Sequence, residues 1–328
     1  MSASNSWWSS LLDFLSRLFN PPPPDAGVLA PLQSRVLLIV YNPVVDTASG
    51  RKLIDTMGWN DPEQLVAGYI QDVRECSGNL VNYQIVQRIE PDALPVKVDG
   101  YQYQTQEYVN ALRAHSGFHM PNGADYNDIL AKFNVLPRVT NDEIDEVWMF
   151  GGPEFCFYES RMAGRGAFFC NSEPVPNTEE CPRRFVIIGF NYERGIGEML
   201  EDLGHRAESI LQYVYRFKTG DANLFQRFCL YDQIAPGGAH MGTVHFAPNS
   251  VRDYDWGNTT PVPSYCDDWD SFPNFPGDVR IVDAREWGDG DIRLHHKWWL
   301  RHLPKVAGTT DGIANFWWKY VIDPNNVR

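Results

Sequence analysis

The run Arg184-Phe-Val-Ile-Ile-Gly-Phe-Asn-Tyr-Glu-Arg-Gly-Ile-Gly-Glu-Met-Leu-Glu-Asp-Leu-Gly-His-Arg-Ala-Glu-Ser-Ile-Leu211 reads as a strand, a tight connection and a long helix. Its first part is continuously apolar, the pattern of a strand covered on both faces, and it ends at Asn191-Tyr192. From Gly195 to Arg216 the period changes. Ile196, Leu200, Leu203, Ala207, Ile210 and Val214 recur at three- and four-residue steps and mark the buried side of a helix. The same grammar repeats upstream. Val36–Tyr41 and Glu146–Phe150 are unbroken apolar runs, Val81–Ile89 is a further strand, and Glu63–Glu75 and Tyr126–Phe133 have helical periodicity. Strands alternating with helices predict an α/β fold, a doubly wound and mostly parallel sheet over residues 33–218. Beyond Lys218 the chain turns to short segments rich in Gly, Pro, Asp and Trp, and seven of its eleven tryptophans follow residue 250. That composition predicts a long irregular wrap, residues 219–328, which builds a site on the scaffold. Residues 33–328 are therefore read as one integrated domain.

Ahead of it, Trp8, Leu11, Leu12, Leu15, Leu18 and Phe19 share one helical face, and Pro21–Pro24 forms a stiff spacer. Residues 1–24 read as an amphipathic helix plus spacer, expected to dock residues 6–19 on a membrane surface or a partner, or to fold back on the body. This start has no basic segment and no small-residue cleavage site, which makes a poor secretory signal and suggests a cytoplasmic or membrane-surface setting. No stretch has the roughly 18–20 apolar residues of a membrane span. The 328 residues carry 28 Lys and Arg against 42 Asp and Glu, a net charge of −14, which argues against nucleic acid as a partner. Six cysteines without a C-x-x-C pair argue against a thiolate zinc site, although Cys170 and Cys181 leave a surface-loop bridge open.

The side of the long helix opposite its apolar face carries Glu198, Glu201, His205, Glu208 and Gln212. Glu201, His205 and Glu208 project together from successive turns, so one imidazole and two carboxylates can surround a divalent ion. The ordinary alternative is a solvent-washed stripe in which these groups and Arg206 keep the helix soluble. Gly204 tips the balance: it costs the helix about 1 kcal/mol, which suggests close approach by another backbone or a ligand. Five of the eight histidines lie in the tail, at His240, His245, His295, His296 and His302. In the segment Arg293–Leu303, His295, Trp299 and His302 share a helical face while His296 points elsewhere.

Two further groups deserve mention. At the expected carboxyl ends of the strands, where open α/β sheets bind ligands, lie Asn42, Glu154, Asn191, Tyr192, Glu193 and Arg194. Asp253–Asn258, Cys266–Asp270 and Trp287–Asp291 mix carboxylates with tryptophans, a combination that suits sugar stacking or glycosidic acid/base work. The chain contains no G-x-S-x-G, Walker, G-x-G-x-x-G or H-E-x-x-H motif.

With Asn191-Tyr-Glu-Arg-Gly195, Gly204-His-Arg-Ala-Glu208, His295-His-Lys-Trp-Trp299, His302-Leu-Pro304 and Gly312-Ile-Ala-Asn-Phe-Trp-Trp318, the chain resembles a family of uncharacterised, often exported bacterial proteins. The resemblance covers about residues 35–325 and brings no established activity. It implies that these segments act as one unit and makes export the alternative location.

The resulting expectation is a metal-dependent, hydrolase-like protein acting on a peptide or a glycan. Glu201, His205 and Glu208, with His295 or His296, would hold a zinc-like divalent ion, and Glu154 or Glu198 would carry protons. Asn191, Tyr192, Arg194, His245, Trp256 and Trp299 are the expected substrate contacts. The alternative is a non-catalytic carbohydrate- or protein-binding component docked through its N-terminal helix, with oligomerisation left open.

Overall fold

The computed structural model describes residues 27–328; the N-terminal amphipathic segment and its proline spacer lie outside them. A central five-stranded sheet is built from β1 (Leu32–Val40), β2 (Val81–Ile89), β3 (Glu146–Gly151), β4 (Ser160–Ala163) and β5 (Phe185–Asn191). Its order is β2-β1-β3-β5-β4. The first four strands in that order run parallel, and β4 closes the edge antiparallel to β5, with Ser160 opposite Ile188 and Ala163 opposite Phe185. The principal helices are α1 (Pro62–Cys76), α2 (Thr105–Ala114), α3 (Tyr126–Lys132), α4 (Ile196–Val214), α5 (Leu224–Phe228) and α6 (Ile292–Arg301).

Each apolar strand feeds two cores, as its two-residue period requires. Val36, Leu38 and Val40 of β1, with Trp148 and Phe150 of β3, pack with α1 and α4. Leu37 and Ile39, with Val147 and Met149, pack with α2 and α3 on the other face. This is the doubly wound arrangement the sequence predicts.

The helix α4 is the middle layer of a further stack. Leu200, Leu203, Ala207 and Ile210 face the sheet core, yet Glu201, Asp202 and Arg206 are also buried. A helix covered nearly all round must be overlaid by something, and here it is the tail. A Cβ on Gly197 would stand 2.5 Å from Ile292 Cγ2, so this glycine lets α6 close directly onto α4. The wrap is more regular than its composition suggests. It holds α5, α6 and two antiparallel pairs, Val262–Ser264 with Arg280–Val282 and Lys305–Thr310 with Ile313–Phe316.

Arg206 does not solubilise its helix. Its guanidinium is fully buried and donates to Glu146 Oε2 at 2.7 Å, Glu146 Oε1 at 3.1 Å and the Ile322 carbonyl at 2.9 Å. Ser34 and the Trp148 indole complete the Glu146 carboxylate at 3.0 and 3.2 Å. The pair locks the rotation of α4 against β3, because removing one partner of a buried pair typically costs about 3–5 kcal/mol. Cys170 and Cys181 are both free thiols, so the surface-loop bridge is not formed.

Candidate metal centre

With α4 fixed by Arg206, the preceding residue, His205, lies about 100° round the helix and meets the tail. The meeting depends on Gly204. A Cβ there would lie 2.6 Å from Val244 Cγ2, so the glycine admits the Thr243–Phe246 segment against the helix. The close approach expected from this glycine is therefore real, and a side chain makes it. One turn on, Glu208 Oε1 accepts the Val244 N–H at 2.8 Å and fastens the segment. His245 is thereby held over His205.

Three ligand atoms converge where they meet. His205 Nε2 lies 3.0 Å from His245 Nε2, His245 Nε2 lies 3.0 Å from Glu201 Oε1, and His205 Nε2 lies 3.8 Å from the same oxygen. The other nitrogen of each ring lies beside a carboxylate: His205 Nδ1 is hydrogen-bonded to Glu208 Oε2 at 3.1 Å, and His245 Nδ1 lies 3.0 Å from Asp253 Oδ1 as an ion-pair contact. When the Nδ1 atom of each ring carries the proton, beside its carboxylate, both Nε2 lone pairs face the same point as Glu201. Carboxylates that orient histidine ligands in this way are the usual outer shell of protein metal sites. A triangle with these sides has a circumradius of about 1.9 Å, so a centre about 2.1 Å from all three atoms, a normal coordination length, lies just off its plane. Glu201, His205 and His245 can hold a metal ion.

The charges agree with this. Burial works against protonation of His205, but hydrogen bonds to Glu201 and Glu208 raise it to about 10. His245 is raised chiefly by its hydrogen bond to Glu201. Burial tends to raise Glu201, yet hydrogen bonds with the two imidazoles hold its carboxyl far below the ordinary carboxylate range. Three carboxylates around two imidazoles draw in positive charge, either as protons or as a cation.

The trio stands between two cavities. One, of about 570 Å³, is lined by His205, Glu208 and His245 together with Gln212, Gln226, Thr243, Phe225 and Phe246. The other, of about 560 Å³, holds Glu201, Glu198, Asp202 and Glu159 with Arg194, Tyr254 and Trp256. In this second cavity burial, followed by the repulsion of Glu159, pushes Asp202 well above the ordinary carboxylate range.

The remaining expected residues are placed as follows. His295 and His296 lie wholly within the protein, outside the trio. His295 stacks on Trp256 at 4.9 Å, and neither ring has a hydrogen-bond partner among the described residues. Burial pushes both below the ordinary histidine value, His296 to about 4. Glu198 lines the second cavity and accepts the Gly195 N–H at 3.0 Å, closing the first turn of α4. Glu154 lines neither of these two cavities; its backbone is left-handed (φ 61°) and its carbonyl accepts from buried Lys97. Asn191 and Arg194 line the second cavity, where Arg194 lies 3.9 Å from Glu198. Tyr192 is buried instead, its hydroxyl 3.1 Å from the carbonyls of both Tyr41 and Phe150, and it stacks on Trp59. It plugs the crevice between β1 and β3 in which open sheets usually bind ligands. Trp299 is buried too and donates to the Gly242 carbonyl at 3.0 Å, beneath the segment that carries His245. The sequence marks Asp253 only as one of the acidic residues of the aromatic-rich tail segments, with nothing that points to an imidazole partner.

Compared with known protein families, curated proteins and solved structures, the chain finds no match. Among the described residues, no helix is long and apolar enough to cross a membrane.

Proposed function

We propose that this protein is a metal-dependent hydrolase, with Glu201, His205 and His245 as the ligands of one divalent ion and a peptide or glycan derivative as substrate. One observation carries the reading: the Nε2 atoms of His205 and His245 face each other at 3.0 Å while the opposite nitrogens lie 3.1 and 3.0 Å from Glu208 and Asp253 carboxylate oxygens. Three protein ligands leave coordination positions open, the pattern of a catalytic rather than a structural site. When bound, the ion supplies a Lewis acid that polarises a carbonyl and acidifies water.

The chain's own groups set the rest. Glu208 fixes the tautomer and direction of the His205 imidazole through its hydrogen bond, and the Asp253 charge favours a proton on Nδ1 of His245. Arg206, anchored on Glu146, fixes the angle at which α4 presents His205. Glu198 sits in the adjoining cavity as the carboxylate that moves protons, with its first-turn hydrogen bond limiting its rotamers.

The test is elemental analysis of protein purified without added metal, followed by titration of the stripped protein with zinc. Roughly one equivalent bound by the wild type and none by His205→Ala is the expected result. A stripped wild type that binds no zinc removes the mechanism and leaves the non-catalytic binding reading in its place. The same two-histidine, one-carboxylate set also serves iron(II) in oxygenases, so the metal that co-purifies decides between hydrolytic and oxidative chemistry.

A further inference from the structure

The two cavities that meet at the trio differ in charge, and the difference defines a substrate. The first has a single acidic residue, Glu208, whose two oxygens are engaged by the Val244 N–H and His205. Beyond the imidazoles, what remains is the amides of Gln212, Asn223 and Gln226, the Thr243 hydroxyl, the Cys229 thiol and the rings of Phe225 and Phe246. Such a lining suits an uncharged group with apolar surface and a few hydrogen-bonding atoms. In the second, Glu159 and Glu198 stand beside Glu201 against a single Arg194, while burial pushes the Asp202 carboxyl toward its neutral form. Trp256 also lines it with its largely buried ring. Tyr254, half exposed, adds an aromatic face that favours cations.

Resting on the reading of the trio as a hydrolytic metal centre, we infer that the substrate is an N-acylated amine. Its uncharged acyl part occupies the neutral cavity and its amine part faces the acidic one. A Lewis-acid centre acts on a carbonyl, whereas glycosidic bonds offer none and are cleaved by paired carboxylates. The scissile bond is therefore an acyl bond. Water oxygen bonds to the acyl carbon and the C–N bond breaks with its electron pair left on nitrogen. The nitrogen takes up the water's proton, carried by a carboxylate of the acidic cavity, and the second water proton completes the ammonium as the acid ionises. The products are a carboxylate and an ammonium ion. The acidic cavity stabilises the ammonium as it forms, and a neutral acyl cavity avoids repelling the carbonyl side.

The experiment uses the zinc-loaded full chain and three matched amides: N-benzoyl-1,4-diaminobutane, N-benzoylbutylamine and N-benzoyl-4-aminobutyrate. Released amine is measured for each, and binding is measured in parallel by calorimetry. The cationic amide is expected to exceed the anionic one by about tenfold in kcat/KM, with the neutral one between. Glu159→Gln should shrink that spread, and Gln226→Arg should admit N-succinylbutylamine, whose acyl part is anionic. Cleavage without the charge order, or with the anionic amide preferred, overturns the assignment of the two cavities. The charge order in binding without any cleavage supports that assignment and overturns the hydrolytic reading. Neither binding nor cleavage of any amide overturns both.

Discussion

Two pairs of histidines lie within one buried neighbourhood and behave in opposite ways. His205 and His245 come from different segments, meet nitrogen to nitrogen, and each has a carboxylate behind it. His295 and His296 are neighbours on α6, shut beside Trp256, without a hydrogen bond to the described residues on any of four ring nitrogens. The first pair is drawn toward protonation and the second is driven from it by burial. An imidazole becomes a metal ligand through what fixes its far nitrogen, and proximity to the site does not suffice. Carboxylates orient the first pair and poise it for a cation. The second pair is neutral and fills space against an indole.

The sharpest break of that contrast is in metal affinity. His205→Ala and His245→Ala should each weaken zinc binding by more than about 100-fold, beyond the range usual for loss of an outer-shell group. His296→Phe should leave it within about threefold, on the scale of a minor packing change. Competition against a chromogenic chelator reads both. If His296→Phe matches His205→Ala, the two pairs are one set of ligands and the division fails.

Acid should separate the pairs through stability. His296 titrates near 4 when folded against 6.5 ordinarily. Burial causes this, Glu201 opposes it and His205 reinforces it. Between those values the unfolded chain binds the proton and the folded chain does not, so the contribution is whole above pH 6.5 and is lost as pH falls toward 4. Its full size is about 3 kcal/mol. In urea titrations, His296→Phe should match the wild type near pH 7, since removing an unpartnered polar ring is close to neutral. At pH 4.5 it should be the more stable protein by about 2–3 kcal/mol. Parallel pH curves would show that His296 is not held neutral.

A smaller effect tests the outer shell. Glu208→Gln and Asp253→Asn keep size and shape but remove the charge behind each imidazole, and each should cost about 10–100-fold in zinc affinity. Asp253→Asn is the more discriminating of the two, because its side chain is 55% exposed and a merely structural role would barely register.

Periodicity makes some of this visible without coordinates. The fixed rise and turn of a helix place Glu201, His205 and Glu208 on one side of α4, and continuous apolar runs announce β1, β3 and β5. The two ends of the site were harder to see. His245 stands out in the sequence only as one tail histidine among five and was expected to touch substrate; its place in the trio depends on where a loop lands. Asp253 sits in an exposed acidic turn whose composition equally suits sugar binding. His295 and His296 looked like ligands because histidine density carries no information about partners. Within the sheet, β4 escapes notice because four residues, Ser160–Ala163, are too short to show a period. The burial of Arg206 is hidden for a related reason: nothing near it in the chain announces Glu146, sixty residues away.

The smallest predicted effect asks how the two halves of the trio are brought together. Gly204→Ala should strengthen α4 by about 1 kcal/mol through propensity alone. The added methyl, however, would stand 2.6 Å from Val244 Cγ2, and a β-branched side chain has little rotameric freedom with which to yield. The strain must pass to the backbone of the Thr243–Phe246 segment, pulling on the Val244 N–H bond to Glu208 and carrying His245 away from His205. Zinc affinity should fall by about three- to tenfold while the fold persists, a cost of roughly 1 kcal/mol in a geometry that tolerates little displacement. Adding Val244→Ala removes the obstructing methyls, so the double variant should regain the affinity, although losing two buried methyls offsets the helical gain in Tm. Such non-additivity in affinity is the signature of a contact that positions a ligand. If Gly204→Ala alone binds zinc as the wild type does, His245 is set in place by Glu208 and Asp253, and the glycine serves only the packing of the helix.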